Sequence, residues 1–137
     1  MALMTTRSLR GSLLSALAVV ALPMAITACG SGGSGSSSNT VPADVGLEVI
    51  AGPGIRWDKS DYTATAGTVK VALLNRDDQF HTMVIKAADG TVEPPGELEV
   101  AKSGAIKTGE YKLAAGTYKI LCLVPGHDNM KATLTVK

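Results

Sequence analysis

Residues 116–130 read GTYKILCLVPGHDNM. Tyr118, Ile120 and Cys122 alternate with Lys119 and Leu121, the period of a strand that buries one face. Pro125-Gly126 ends that pattern with a turn, and Lys131-Ala132-Thr133-Leu134 takes it up again. Between the two strands the loop carries a thiol at Cys122, an imidazole at His127 and a thioether at Met130, in a chain with 2 histidines in all. With Tyr118 and Ile120 turned to a core, Cys122 turns to it as well, at the rim.

The same period runs through the rest of the chain from Leu47 onward. Val69, Val71 and Leu73 alternate with Lys70 and Ala72; His81, Met83 and Ile85 alternate with Thr82, Val84 and Lys86; Leu134 and Val136 alternate with Thr133, Thr135 and Lys137. Turn signals separate these runs, at Asn75-Arg76-Asp77-Asp78, Ala88-Asp89-Gly90, Pro94-Pro95-Gly96, Ser103-Gly104 and Ala115-Gly116. No stretch carries a helical stripe longer than a turn or two, and no internal repeat is visible. Short strands with regular turns predict an all-β fold, an antiparallel β-sandwich or closed barrel.

The N-terminal third reads differently. Arg7 and Arg10 precede an apolar run from Leu13 to Leu22 that Pro23 breaks, which is too short to span a bilayer and has the form of a signal-peptide core. Ile26-Thr27-Ala28-Cys29 follows and resembles the bacterial lipobox, in which the cysteine is acylated and becomes the new N-terminus. Gly30 to Thr40, GSGGSGSSSNT, has the composition of a flexible coil that buries nothing. The expected organisation is a signal peptide over 1–28, a lipidated Cys29 with its tether over 29–44, and one domain over 45–137. The protein is then exported and anchored to the cell membrane by lipid, facing the periplasm or cell-wall side. Without Arg7 and Arg10, 11 basic side chains stand against 12 acidic ones, a balance of −1 that attracts neither nucleic acid nor an anionic membrane surface.

With Cys29 committed to lipid, Cys122 has no disulfide partner, and an unpaired thiol in an oxidising compartment needs burial or a ligand. Cys122, His127 and Met130 share one loop, and His81 opens an inward-facing row. Two histidines and a cysteine with a weak axial methionine form the donor set of blue-copper electron-transfer sites. Thiolate and thioether favour Cu(I), while imidazole tolerates both oxidation states. Zinc could also take three of these ligands but gains nothing from a thioether. Asp58, Asp61, Asp77 and Asp78 lack the spacing of a calcium loop and read as solvated turn residues. There is no Ser/His/Asp arrangement and no phosphate-binding glycine loop.

Residues 45–137 resemble a cupredoxin of the plastocyanin/azurin type, in the stretch Leu73-Leu74-Asn75 through His81-Thr82-Met83-Val84-Ile85, in Gly116 through His127, and in the closing Thr133-Leu134-Thr135-Val136. The resemblance implies a Greek-key sandwich and one type 1 copper per chain. It implies His81, Cys122 and His127 as equatorial ligands and Met130 as the axial one. Phe80 would lend a backbone carbonyl near the metal, and the Thr82 N–H would be placed to bond the sulfur. Only Asp128 and Asn129 separate His127 from Met130, a shorter gap than is usual in the family, so a water or a backbone oxygen is the alternative axial donor. Met83 reads as core.

The function implied is a membrane-tethered, monomeric electron carrier, not an enzyme. His127, on an outward-facing loop, would be the electron port, and Leu123, Val124, Pro125 and Phe80 would form an apolar rim for transient docking of redox-partner proteins. A copper-delivery protein without electron-transfer turnover, or a metal-free sandwich serving adhesion or assembly, are the other readings the sequence leaves open.

Overall fold

The structure, a computed structural model, describes residues 40–137. The expected leader, most of the tether and Cys29 lie outside the described residues. Nine strands occur among these, and no helix. They are β1 (Leu47–Gly52), β2 (Arg56–Trp57), β3 (Asp61–Ala64), β4 (Gly67–Asn75), β5 (His81–Lys86), β6 (Leu98–Val100), β7 (Ile106–Leu113), β8 (Gly116–Leu121) and β9 (Lys131–Val136). One sheet runs β2-β1-β4-β7, the other β3-β9-β8-β5-β6.

Alternation places the core where the sequence puts it. Tyr118, Ile120 and Cys122 are buried beside Leu134 and Val136, while Lys119 is exposed. Val49, Val71, Leu73, Ile85 and Leu134 are fully buried, the aliphatic filling that a chain with a single Phe and a single Trp must rely on. The tyrosines add bulk, and each phenol finds a partner. Tyr111 donates to the Gly96 carbonyl at 2.8 Å, Tyr118 to the Ala114 carbonyl at 3.0 Å, and Tyr62 to Asp58 Oδ1 at 2.6 Å.

Strand direction departs from the purely antiparallel expectation at two places. β1 pairs with β4 in parallel, from Leu47↔Val71 to Ala51↔Asn75, and β3 pairs with β9 in parallel, from Asp61↔Thr133 to Ala64↔Val136. The sheets are therefore mixed. Alternation along a chain marks which residues face inward and carries no sense of direction. Direction follows from connectivity: the chain leaves the first sheet after β2, forms β3 in the second, and returns for β4 with no hairpin to impose an antiparallel neighbour on β1.

Period two also understates burial in two interior strands. Every residue from Val71 to Asn75 is buried, and so is every residue from His81 to Ile85. The crossing between them, residues 76–80, is held by Asn75, whose side chain is fully buried. Its Nδ2 donates to the carbonyls of Gln79 (2.7 Å) and Val100 (3.3 Å), and its Oδ1 accepts from the Asp77 amide (2.7 Å). Its own amide donates to the Ala105 carbonyl and its carbonyl accepts from the Gly104 amide. One side chain thus joins the end of β4, the crossing that leads to His81, and the end of β6. Asn75→Ala removes three hydrogen bonds and strands buried polar groups, so its expected cost is about 2–3 kcal/mol, read as a lowered urea midpoint with an unchanged slope.

Candidate metal centre

β5 delivers His81 at its first residue, directly after the Asn75-clamped crossing. β8 ends at Leu121, and Cys122 follows at once with its amide donating to the Met130 carbonyl at 3.1 Å, which carries the β8–β9 ladder one step further. The intervening loop closes on itself. The His127 amide donates to the Val124 carbonyl (3.0 Å), the Met130 amide to the His127 carbonyl (2.8 Å), and Gly126 supplies a left-handed turn at φ +87°. Two successive turns fold the His127 ring back beside the cysteine.

Three donors meet there. His81, Cys122 and His127 each offer one ligand atom within 4.8 Å of the other two, and all three residues are buried. Cys122 Sγ lies 3.6 Å from His127 Nδ1, and the two imidazole centroids are 4.9 Å apart with a 45° tilt. Met130 is buried at the base of the same loop, 1% exposed, and Met83 is fully buried in the core row of β5. Phe80, just before β5, is exposed.

Thr82 touches the sulfur through its side chain. Its hydroxyl accepts a hydrogen bond from the Leu123 amide at 3.0 Å and stands 3.9 Å from Cys122 Sγ, leaving its own proton free for the sulfur. Continuing the register that pairs Val84 with Leu121 sets Thr82 opposite Leu123, and there the hydroxyl makes the link between the two strands. The sequence suggested the backbone N–H for this contact; the contact that the structure displays comes from the hydroxyl.

The loop faces outward, as the sequence suggested, but the His127 ring does not: it is only 5% exposed. Leu123, at 47%, and Phe80, at 43%, are the large apolar side chains exposed at this end. Asp128 and Asn129 are exposed as well. Asn75 and Asp77 are the residues near the site that sequence reasoning passed over, both having been read as turn composition. The available signal was position, an aspartate four residues before a histidine that opens a strand.

The donor set suits a soft or borderline metal ion. Neither ring nitrogen of His81 has a hydrogen-bond partner, although the residue is fully buried. Buried polar atoms are paired in the great majority of cases, and a neutral imidazole nitrogen beside a thiol is what such an ion binds.

No protein-family model and no curated protein matches the chain. Solved structures do. Reduced auracyanin from the photosynthetic bacterium Roseiflexus castenholzii is 24% identical, covering 66% of this chain and 95% of its own, with a TM-score of 0.54. A purple cupredoxin from Nitrosopumilus maritimus is 17% identical over 66% of this chain and 99% of its own, with a TM-score of 0.53. An azurin from Methylomonas sp. strain J is 16% identical over 66% and 95%, also at 0.53. The chain has the cupredoxin fold.

Burial holds the His81 pKa below its ordinary 6.5; the nearby Asp77 works in the opposite direction, and charge on His127 adds to the depression. A depressed folded pKa means that the unfolded chain takes up the proton first, so it binds more protons over a window that opens near the ordinary value and runs down to the depressed one. Stability contributed by neutral His81 is complete above about pH 6.5 and is lost as pH falls through that window. The metal-free protein is therefore expected to show a falling urea midpoint on acidification, with a shallower fall in His81→Gln.

Proposed function

We propose that this protein is a blue-copper electron carrier tethered to the outer face of a cell membrane. The observation that carries the reading is the meeting of two buried imidazoles and a buried thiol within 4.8 Å on a cupredoxin fold, with His81 left without hydrogen-bond partners. His81, Cys122 and His127 would hold one copper as equatorial ligands, and Met130, buried on the same loop, would be the axial donor. Bound copper supplies a one-electron couple, Cu(II)/Cu(I), fed by a reduced partner protein and drained by an oxidised one.

The chain's own part is to fix the donors and keep water out. His81 sits on an interior strand and the Cys122 loop is closed by hydrogen bonds, so the donor positions are set by the fold before metal arrives. Toward a metal-bound thiolate the Thr82 hydroxyl, 3.9 Å from the sulfur, would be the donor and would temper its charge. The Phe80 carbonyl would lie beside the metal. Buried donors favour passage of an electron over turnover of a substrate. Leu123 and Phe80 give the end nearest His127 an apolar rim, suited to the small, short-lived interfaces of redox encounters, typically below about 1,200 Å². The protein acts as a monomer on this reading, and Cys29 carries the lipid.

Two experiments test this. Full-length protein given Cu(II) should bind one equivalent, develop an intense thiolate-to-copper absorption band and cycle reversibly by voltammetry. Cys122→Ser should lose the band, while Met130→Leu should keep it and raise the potential, because a missing donor destabilises Cu(II) more than Cu(I). Copper binding without reversible cycling would instead indicate delivery of the metal. Separately, Cys29→Ser should move the protein from the membrane fraction to the soluble one, and retention after a salt wash would end the lipid-anchor reading.

A further inference from the structure

We infer that Asp77 is a positioning residue for the metal site, accepting a hydrogen bond from His81 Nε2 and thereby directing Nδ1 to the metal; this rests on the copper site proposed above. Asp77 Oδ2 lies 3.4 Å from His81 Nε2. Both atoms are buried and neither has another hydrogen-bond partner. A donor nitrogen and an acceptor oxygen, each otherwise unpaired and facing one another, are complementary, and a few tenths of an ångström separate them from bonding distance.

The carboxylate is held for this task by its own loop. Asp77 Oδ1 accepts from the Asp78 amide at 2.7 Å, and the Asp77 amide donates to Asn75 Oδ1 at 2.7 Å. Oδ2 is the oxygen left over, and it is turned to the ring. The Asp77 side chain is 12% exposed, whereas its neighbour Asp78 is exposed. Although it touches His81, Asp77 does not join the group of donors within 4.8 Å of one another. An acceptor that meets His81 Nε2 yet stays outside that group pairs with the ring nitrogen the group does not need, which assigns Nε2 to Asp77 and leaves Nδ1 for the metal.

Three consequences follow from a carboxylate at that nitrogen. The proton stays on Nε2, which fixes the tautomer and frees the Nδ1 lone pair for the metal. The ring is held against rotation, so the donor does not swing when the oxidation state changes. Negative charge shared with the ring also makes it a stronger donor, which favours Cu(II) over Cu(I) and holds the reduction potential down.

Asp77→Asn tests this in the full-length protein. Asparagine keeps the shape and the oxygen that receives the Asp78 amide, and it removes the charge. Loss of such an outer partner typically weakens metal binding about tenfold or more. A tenfold loss confined to Cu(II) raises a one-electron potential by about 59 mV. Asp78→Asn, which removes the same charge one residue away and faces no ligand, should move the potential less. Nitrogen NMR of the metal-free wild type supplies a reading independent of copper and of any variant's folding, with His81 expected as the Nε2–H tautomer. A proton on Nδ1 in the wild type, or a potential in Asp77→Asn no higher than in Asp78→Asn, would overturn the assignment. Failure of the wild type to bind copper would sink the proposed function, and the tautomer would still decide the role of Asp77.

Discussion

The Thr82 hydroxyl accepts the Leu123 amide proton at 3.0 Å, and the alignment of the whole centre depends on that contact. His81 arrives on β5; Cys122 and His127 arrive 41 and 46 positions further along, on the loop after β8. The β5–β8 ladder pairs the two strands only from Val84↔Leu121 inward. Beyond that pair each strand end keeps its other neighbour, His81 pairing with Val100 and Cys122 donating to the Met130 carbonyl, and the Thr82 hydroxyl links the two ends to each other. A side-chain bond of about 1 kcal/mol is small against the stability of a domain, but here it acts where a small displacement separates a ligand set from three unrelated side chains. The same hydroxyl reaches the sulfur, so alignment of the strands and polarity at the thiol are set by one group.

Burial of polar donors is the cost that the fold carries for this arrangement. His81 is fully removed from water, and its Nδ1, which has no protein partner, carries a penalty of about 1–3 kcal/mol while the site is metal-free. The aliphatic core of Val49, Val71, Leu73, Ile85 and Leu134 offsets it, and the Asn75 network fixes the crossing at which it is incurred. The return is rigidity. Side-chain freedom lost on folding is not lost again on metal binding, and a cage that is already ordered has little left to move when charge changes inside it.

How much of this was legible in the sequence depends on the range of the interaction. Cys122, His127 and Met130 stand within nine positions, and one turn signal suffices to bring them together. His81 was found because it opens an alternating row, which is a statement about a face and survives ignorance of topology. Strand direction was not legible, because period two is the same in parallel and antiparallel pairs; the mixed sheets come from the order in which the chain visits them. The burial of His127 was missed for a related reason. A Pro-Gly turn announces an exposed loop, and only the Val124 and His127 carbonyl bonds reveal that the ring folds back. Asp77 carried every mark of a solvated turn residue. Its burial depends on where Asn75 pins the crossing, a contact that composition does not encode.

The two histidines are consequently held by different kinds of structure. His127 owes its place to bonds between residues three apart, His127 to Val124 and Met130 to His127, with the Cys122–Met130 bond sealing the loop. Its position is a local property of residues 122–130. His81 owes its place to groups from four regions, the end of β4 through Asn75, the crossing through Asp77 and Gln79, the end of β6 through Val100, and the start of β5 itself. Changes in the loop therefore act on spacing and on the axial position while the sandwich stands, whereas changes around Asn75 act on stability and on His81 together. A site divided in this way would let the loop set the character of a bound metal and leave the sandwich to hold the one donor that does not belong to the loop.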